Sequence, residues 1–224
     1  MSDIFREVDE EVRRDKATEY WNKHGSKLIG GALAIVLAVA GWRFYDDYTF
    51  KERAALGASF EAAIADAGAG KPDALAGLTA LAEKKSGTYP VLARFRLATE
   101  LARAAKDEAG RANAASAFDA LSSDAGIPAE WREMAKLRAA FVLVESAPFE
   151  EVEKRLLPLS APSEIYRHSA REGIALAAYR TGKYDKALDA LQAIILDSET
   201  PSTLRQRAEL LLAVVRSGPV GAKP

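Results

Sequence analysis

The 224-residue sequence contains no cysteine, which excludes disulfides, thiolate nucleophiles and cysteine-based zinc sites together. Its two histidines, His24 and His168, lie far apart in the chain, so a paired imidazole site would need the fold to bring them together. Charge imbalance is also missing. Lys and Arg number 31 against 32 Asp and Glu, and no global basic field exists to hold a nucleic-acid backbone. Strictly alternating β-branched runs are scarce, which argues against strands. The motifs G-x-S-x-G, H-E-x-x-H and the P-loop are absent. "GAGKPD" at 68–73 has neither a preceding strand nor Ser/Thr after its lysine, and reads as a helix–helix turn. The carboxylates Glu150, Glu151 and Glu153, beside Lys154 and Arg155, read as a solvated helix face. No catalytic residue, cofactor or metal is expected, and the chain does not read as an enzyme.

What the sequence does have is alanine in nearly every segment beyond residue 50, together with apolar residues at helical spacing. The expected class is all-α. The length suits one ordinary domain with an appendage.

The appendage is "SKLIGGALAIVLAVAGWRFYDDY" at 26–48, where residues 28–42 carry no charge. As a helix these cover about 22 Å of a hydrocarbon core about 30 Å thick. The shortfall closes if Lys27 and Arg43 snorkel outward and Trp42, Phe44 and Tyr45 sit at headgroup level. Three readings are open. Ala38-Val39-Ala40 before Gly41 has the form of a signal-cleavage site, and a buried helix of a soluble domain often has this apolar length. Against cleavage stands a long leader dense in acids (Asp3, Glu7, Asp9, Glu10, Glu11, Asp15, Glu19), where a signal peptide has a short basic one. The expectation is a retained single transmembrane helix at 28–45.

Arg13, Arg14, Lys16, Lys23 and Lys27 precede the segment, whereas Arg43, Lys51 and Arg53 follow it, so residues 1–27 are expected in the cytoplasm and the rest outside. Gly30, Ala34 and Ala38 form a small-xxx-small face that would let another membrane helix approach closely. Ile4, Phe5, Val8 and Val12 have helical spacing, which suits either a marginal helix near the membrane surface or a short partner-binding helix.

Beyond Tyr48, glycines and prolines punctuate the chain between stretches of helix length. Helices are expected near 48–67, 72–85, 89–107, 110–123, 129–146, 148–158, 163–181, 184–197 and 201–216. The unit "REGIALAAYRTGKYDKALDALQAIIL" at 171–196 resembles a tetratricopeptide repeat. Ile174 and Ala175 make its large–small pair and Tyr179 follows. Gly182 and Tyr184 hold the turn, and Ala187, Leu191 and Ile194 form the inward stripe of its second helix. Weaker copies of that stripe start at Val152 (with Leu156 and Leu159), Ala114 (with Phe118 and Leu121) and Ala74 (with Leu78 and Leu81). Their intervals are 35, 38 and 40 residues, from positions 187, 152, 114 and 74. This predicts an α-solenoid of about four helix pairs over 46–217, closed by a capping helix, with a flexible tail at 218–224. An ordinary helical bundle would show similar amphipathic spacing, but the G-K-Y-D-K-A-L run of the fourth pair favours the repeat. His168 is expected on a helix surface or between helices.

"EYWNKHGSKLIGGALAIVLAVAGWRFYDDY" at 19–48, followed by such helices, resembles the YfgM family of ancillary SecYEG translocon subunits. The likeness rests on His24, Gly25 and Leu28, the glycine-rich span, the exit Gly41-Trp42-Arg43-Phe44-Tyr45, and "GTYPVLARFRLA" at 87–98. It implies a bacterial inner-membrane protein with a periplasmic repeat domain. The partners it implies are the SecYEG translocon, a PpiD-like chaperone and exported chains. A scaffold of an envelope or cell-division assembly is the alternative, and a soluble periplasmic binding protein released after Ala40 is a third.

Overall fold

The structure is a computed structural model that describes residues 3–71, 74–84 and 87–217, with side chains from Val12 onward and without that of Ala74. The expectations placed on the side chains of Ile4, Phe5, Val8 and Ala74, on Pro72 and on the tail at 218–224 lie outside these described residues. Every regular element within them is helical: α1 (Asp3–Gly68), α2 (Ala74–Ala82), α3 (Thr88–Ala104), α4 (Glu108–Ser122), α5 (Ala129–Leu143), α6 (Phe149–Leu156), a 3₁₀ turn (Pro158–Ser160), α7 (Arg167–Arg180), α8 (Tyr184–Leu196) and α9 (Ser202–Ser217). The chain divides into two compact units, Met1–Ala58 and Ser59–Pro224.

The first unit is a single helical stretch. Where separate stub, span and following helices are predicted from sequence, α1 runs without a break. The reason is that nothing in it stops a helix: it contains no proline, and its paired glycines, Gly30 and Gly31, lie within an apolar run rather than at a polar turn.

The second unit stacks helices in sequence order, α2 on α3, α3 on α4, α4 on α5, and α6 through α9 likewise, with further contacts from α5 to α7 and from α7 to α9. Its boundaries follow from local chemistry. Pro128, Pro148 and Pro201 stand immediately before α5, α6 and α9, where a missing N–H costs nothing. Asp107 caps α4 by accepting a hydrogen bond from the Gly110 N–H at 2.8 Å. α7 ends in a Schellman motif: Gly182 N–H bonds Tyr179 O and Lys183 N–H bonds Ala178 O. That motif places Gly182 at φ 74°, a region a side chain disfavours. The sequence extends α6 to 158 and starts α7 at 163, but α6 gives way to the 3₁₀ turn and the chain is non-helical until Arg167. Pro158 and Pro162 account for this, since each removes a backbone donor.

The core sits along one register. Phe118, Leu78, Leu121, Leu156, Leu191, Ile194 and Val152 are the largest side chains that are wholly buried. All seven lie on the inward stripes that start at 74, 114, 152 and 187. Each buried Leu or Ile contributes about 1.5–3 kcal/mol relative to exposure. Phe95, Phe118, Leu121, Ala135 and Ala139 belong to one cluster of α3–α5, while α5–α9 share a larger one built around Leu143, Leu156, Ile174, Leu191 and Leu204.

Candidate interaction surfaces

Within the first unit, the apolar residues of 28–42 face outward on every side. Leu28, Ile29, Leu33, Ile35, Val36, Leu37 and Val39 are all exposed, and among the described residues this is the one helix long and apolar enough to cross a membrane. An amphipathic surface helix confines its apolar residues to one stripe; this one does not. Gly30, Ala34 and Ala38 are exposed, and a Cβ added at Gly30 would meet nothing within 4 Å. Trp42, Arg43, Phe44 and Tyr45 are exposed at one end of the segment and Lys27 at the other. On the N-terminal side of Lys27, the indole of Trp21 lies against Gly25, where a Cβ would approach Trp21 Cε2 to 3.3 Å. The ring of Tyr20 contacts His24 at a centroid distance of 4.8 Å.

In the second unit the repeat signature converges on the α7–α8 pair. Ala175, Ala187 and Leu191 have no exposed surface, so the two small residues allow the backbones to approach and Leu191 fills the space beside them. Tyr179 and Tyr184 pack against the same core with ring centroids 6.0 Å apart. Neighbouring Arg180 donates from Nε to Val144 O at 2.7 Å and from its terminal nitrogen to Ala147 O. Its guanidinium therefore satisfies carbonyls of the α5–α6 turn, one repeat earlier.

A polar clamp fastens α7 to the α8–α9 turn. Arg167 Nε and Arg171 Nη1 both donate to Asp197 Oδ2 at 3.0 Å. Arg167 also pairs with Glu199, and Arg171 bonds Ser160 O and Ala193 O. The hydrogen bond from Arg167, with further help from the Glu199 N–H and Arg171, holds the Asp197 carboxyl well below the usual carboxylate range. His168 is buried beside this group, its Nδ1 3.1 Å from Thr200 Oγ1. Thr200 gives its only hydroxyl proton to Ile194 O at 2.6 Å, so it accepts from His168 Nδ1–H, and the same Nδ1 lies 3.7 Å from Asp197 Oδ2. Burial, reinforced by the Arg167 charge, lowers the imidazole's affinity for a second proton. These contacts satisfy helix-terminal carbonyls and join elements.

Side-chain links join alternate helices in two rows. On α3, α5, α7 and α9 they are Arg138 to Thr99 at 3.3 Å and Arg207 to Glu172 at 2.8 and 2.9 Å. On α4, α6 and α8 they are Arg155 to Asp119 at 2.9 and 3.0 Å, Lys183 to Glu150 at 2.8 Å and Lys186 to Glu153 at 3.4 Å. The carboxylate run at 150–153 is thus a pairing surface between α6 and α8. Packing is close at Gly173: a Cβ there would fall 2.6 Å from Leu156 Cδ1 and 3.2 Å from Phe141 Cε2.

Stacked helix pairs with a shared inward stripe are the geometry of a helical-repeat module, and residues 18–211 match the tetratricopeptide repeat-like domain. The chain belongs to the tetratricopeptide repeat-like domain family. The matched region begins before the apolar stretch and so includes it. Repeat domains of this kind are typically protein-interaction modules rather than catalysts. No curated protein and no solved structure matches this chain.

The tetratricopeptide-like pattern locates the buried stripe but not the polar clamp. The Arg167–Asp197 pair spans 30 residues, and Gly173 looks in sequence like any helix-weakening glycine. Two signals were nonetheless available. "RHSAR" places four polar residues at the start of one alanine-rich helix, and "DSET" before Pro201 is a turn rich in side-chain acceptors. The outer face of α9 also carries apolar residues: Leu210 and Val214 are exposed on adjacent turns, although a solenoid cap is expected to show a polar outer face.

Proposed function

We propose that this chain is a membrane-anchored, non-enzymatic adaptor whose helix pairs present a surface to protein partners. The observation that carries this reading is the exterior of residues 28–42, which is apolar and exposed on all sides in a chain whose other helices form a repeat-type interaction module. Such a helix has no stable home in water, and a bilayer satisfies it.

The finer reading places residues 1–27 in the cytoplasm, the anchor at 28–45 and the repeat domain at 46–217 in the periplasm of a bacterial inner membrane, with a tail at 218–224. Its support is the excess of basic residues before the anchor and the YfgM-like residues around His24, Gly25 and Gly41–Tyr45. On that reading the partners are the SecYEG translocon, a PpiD-like chaperone and emerging exported chains. The face Gly30, Ala34, Ala38 meets the translocon, and Lys27, Trp42, Arg43, Phe44 and Tyr45 hold the anchor at the membrane rims.

Gentle solubilisation and pull-down of the full chain tests the partner assignment. Recovery of translocon subunits is the expected result, and recovery of division or envelope-assembly proteins without them overturns it in favour of a structural scaffold. Replacing Gly30, Ala34 and Ala38 by leucine is expected to reduce that recovery. A Cβ at Gly30 meets no neighbour and all three positions are exposed, so a loss reports contact with another molecule rather than damage to the chain's own fold. Digestion of the repeats by protease added to spheroplasts is the expected outcome for orientation, and full protection refutes it.

A further inference from the structure

A charge-free run of about 22 Å is shorter than a hydrocarbon core of about 30 Å, and the aromatic residues named as anchors so far all lie at its C-terminal end. The N-terminal side carries its own pair. Tyr20 and Trp21 are 61% and 55% exposed, well outside any packed core, in a stretch otherwise made of charged and small polar residues. Trp21 and Trp42 are 21 positions apart (42 minus 21) on the unbroken helix α1, a rise of about 32 Å. The indole of Trp21 lies against Gly25, one turn nearer the apolar run, which puts that ring between about 26 and about 32 Å from the level of the Trp42 backbone. That interval brackets the thickness of the hydrocarbon core.

We infer that Tyr20 and Trp21 form a second lipid-headgroup contact, so that α1 engages the bilayer between two aromatic belts, Tyr20/Trp21 and Trp42/Phe44/Tyr45, rather than at the C-terminal rim alone. The partner is a lipid surface, and the inference rests on the anchoring reading above. Gly25 is the device that sets the first belt. In a helix the Cα–Cβ bond leans toward the N-terminus, which would carry Trp21 away from the membrane. With no Cβ at position 25 the ring can instead lie toward the apolar run, and Gly25 is buried as a result. The intervening Lys23 and Lys27 fit this placement, because their stems lean toward the N-terminus and deliver their ammonium groups to the phosphate level. An amphipathic indole is favoured at that level, with its ring among the acyl–glycerol boundary atoms and its N–H in contact with water.

The test uses tryptophan fluorescence of the full chain reconstituted in vesicles of phosphatidylcholine and phosphatidylglycerol. The third tryptophan, Trp131, packs against the core of α3–α5 and supplies a background that lipids do not reach. Trp42→Phe leaves Trp21 as the reporter, and Trp21→Phe leaves Trp42, with no change to the core. In both variants, lipids brominated near the glycerol end of the chain are expected to quench more than lipids brominated near the methyl end. Adding Gly25→Leu to Trp42→Phe is expected to reduce the quenching of Trp21. If Trp42→Phe is quenched by aqueous iodide and by no brominated lipid, while Trp21→Phe is quenched by lipid, the N-terminal belt is refuted and the anchor stands. Loss of lipid quenching in both variants overturns the anchor and the belt together. Unchanged quenching with Gly25→Leu refutes the glycine's part.

Discussion

Leu33 and Leu191 are the same residue in two kinds of helix. Leu33 is 59% exposed in the first unit, and Leu191 has no exposed surface in the second. Around Leu33 the neighbours are apolar in every direction, so no rotation of the helix could hide them from water. Around Leu191 the apolar residues recur at 187, 191 and 194, a single stripe that a neighbouring helix covers. Continuity of apolar character selects lipid as the solvent, whereas periodicity selects protein. On the proposed reading the two regions use leucine for different work: one to dissolve a helix in a bilayer, the other to register one helix pair on the next.

The sharpest break of this comparison is a matched pair of truncations. Phe118→Ala removes the largest wholly buried side chain and is expected to cost about 3–5 kcal/mol, because the lost transfer energy and the cavity add. Leu33→Ala is expected to leave the unfolding midpoint of the repeat domain unchanged. Denaturant unfolding in detergent, followed by Trp131 emission, reads both, and equal losses would mean that the two regions share one core. Next in size is Gly173→Val, which forces atoms into the space of Leu156 and Phe141. Overpacking of this kind costs about 1–3 kcal/mol, and a neutral result would show that Leu156 can give way. Gly30→Val, on the open exterior, is expected to leave repeat-domain stability unchanged.

Acid is expected to act on the second unit through the clamp. The folded chain holds the Asp197 carboxyl ionised more strongly than the unfolded chain does. Its stabilisation is therefore complete above about pH 4 and is lost as pH falls below that value. His168 acts at higher pH. Burial makes the folded imidazole a poorer proton acceptor than the unfolded one, so its share of stability is complete above about pH 6.5 and declines as pH falls through that value. In His168→Gln the slope of stability between about pH 7 and about pH 5 is expected to flatten, while the steeper acid limb remains. An unaltered slope would place the titration elsewhere. Among changes to the second unit a small effect is expected from Lys186→Ala, which breaks a 3.4 Å pair with Glu153 and should change stability by less than about 1 kcal/mol.

Much of the fold was legible because its determinants are local. The stripe at 187, 191 and 194, the proline starts and Gly182 at the end of α7 all lie within a turn or two of the structure they specify. The copies at 114 and 152 were readable for the same reason, despite intervals of 35 and 38 residues. The unbroken course of α1 was less so: the stub, the span at 28–45 and a helix near 48–67 read as separate elements, yet without proline or a polar turn the helix has no cause to stop. Of the candidate surfaces, the exterior of the apolar segment followed from composition alone. The seat of Trp21 on Gly25 did not, because a side chain's direction depends on which neighbours lack a Cβ.

By itself the sequence determined an all-helical chain, the positions of most helices, the buried stripe and a segment too apolar for water. These follow from propensity, periodicity and hydropathy, which act over a few residues. Tertiary structure alone decided that Gly173 is a contact point, that Arg180 satisfies the carbonyls of Val144 and Ala147, and that His168 is buried beside Asp197. Each of those joins residues far apart in sequence: Gly173 meets Leu156 and Phe141, Arg180 reaches back 33 and 36 positions, and His168 meets a residue 32 positions on. No local pattern encodes such meetings: they arise only when packing brings one repeat against the next, and the drift in repeat length hides which residues will face each other.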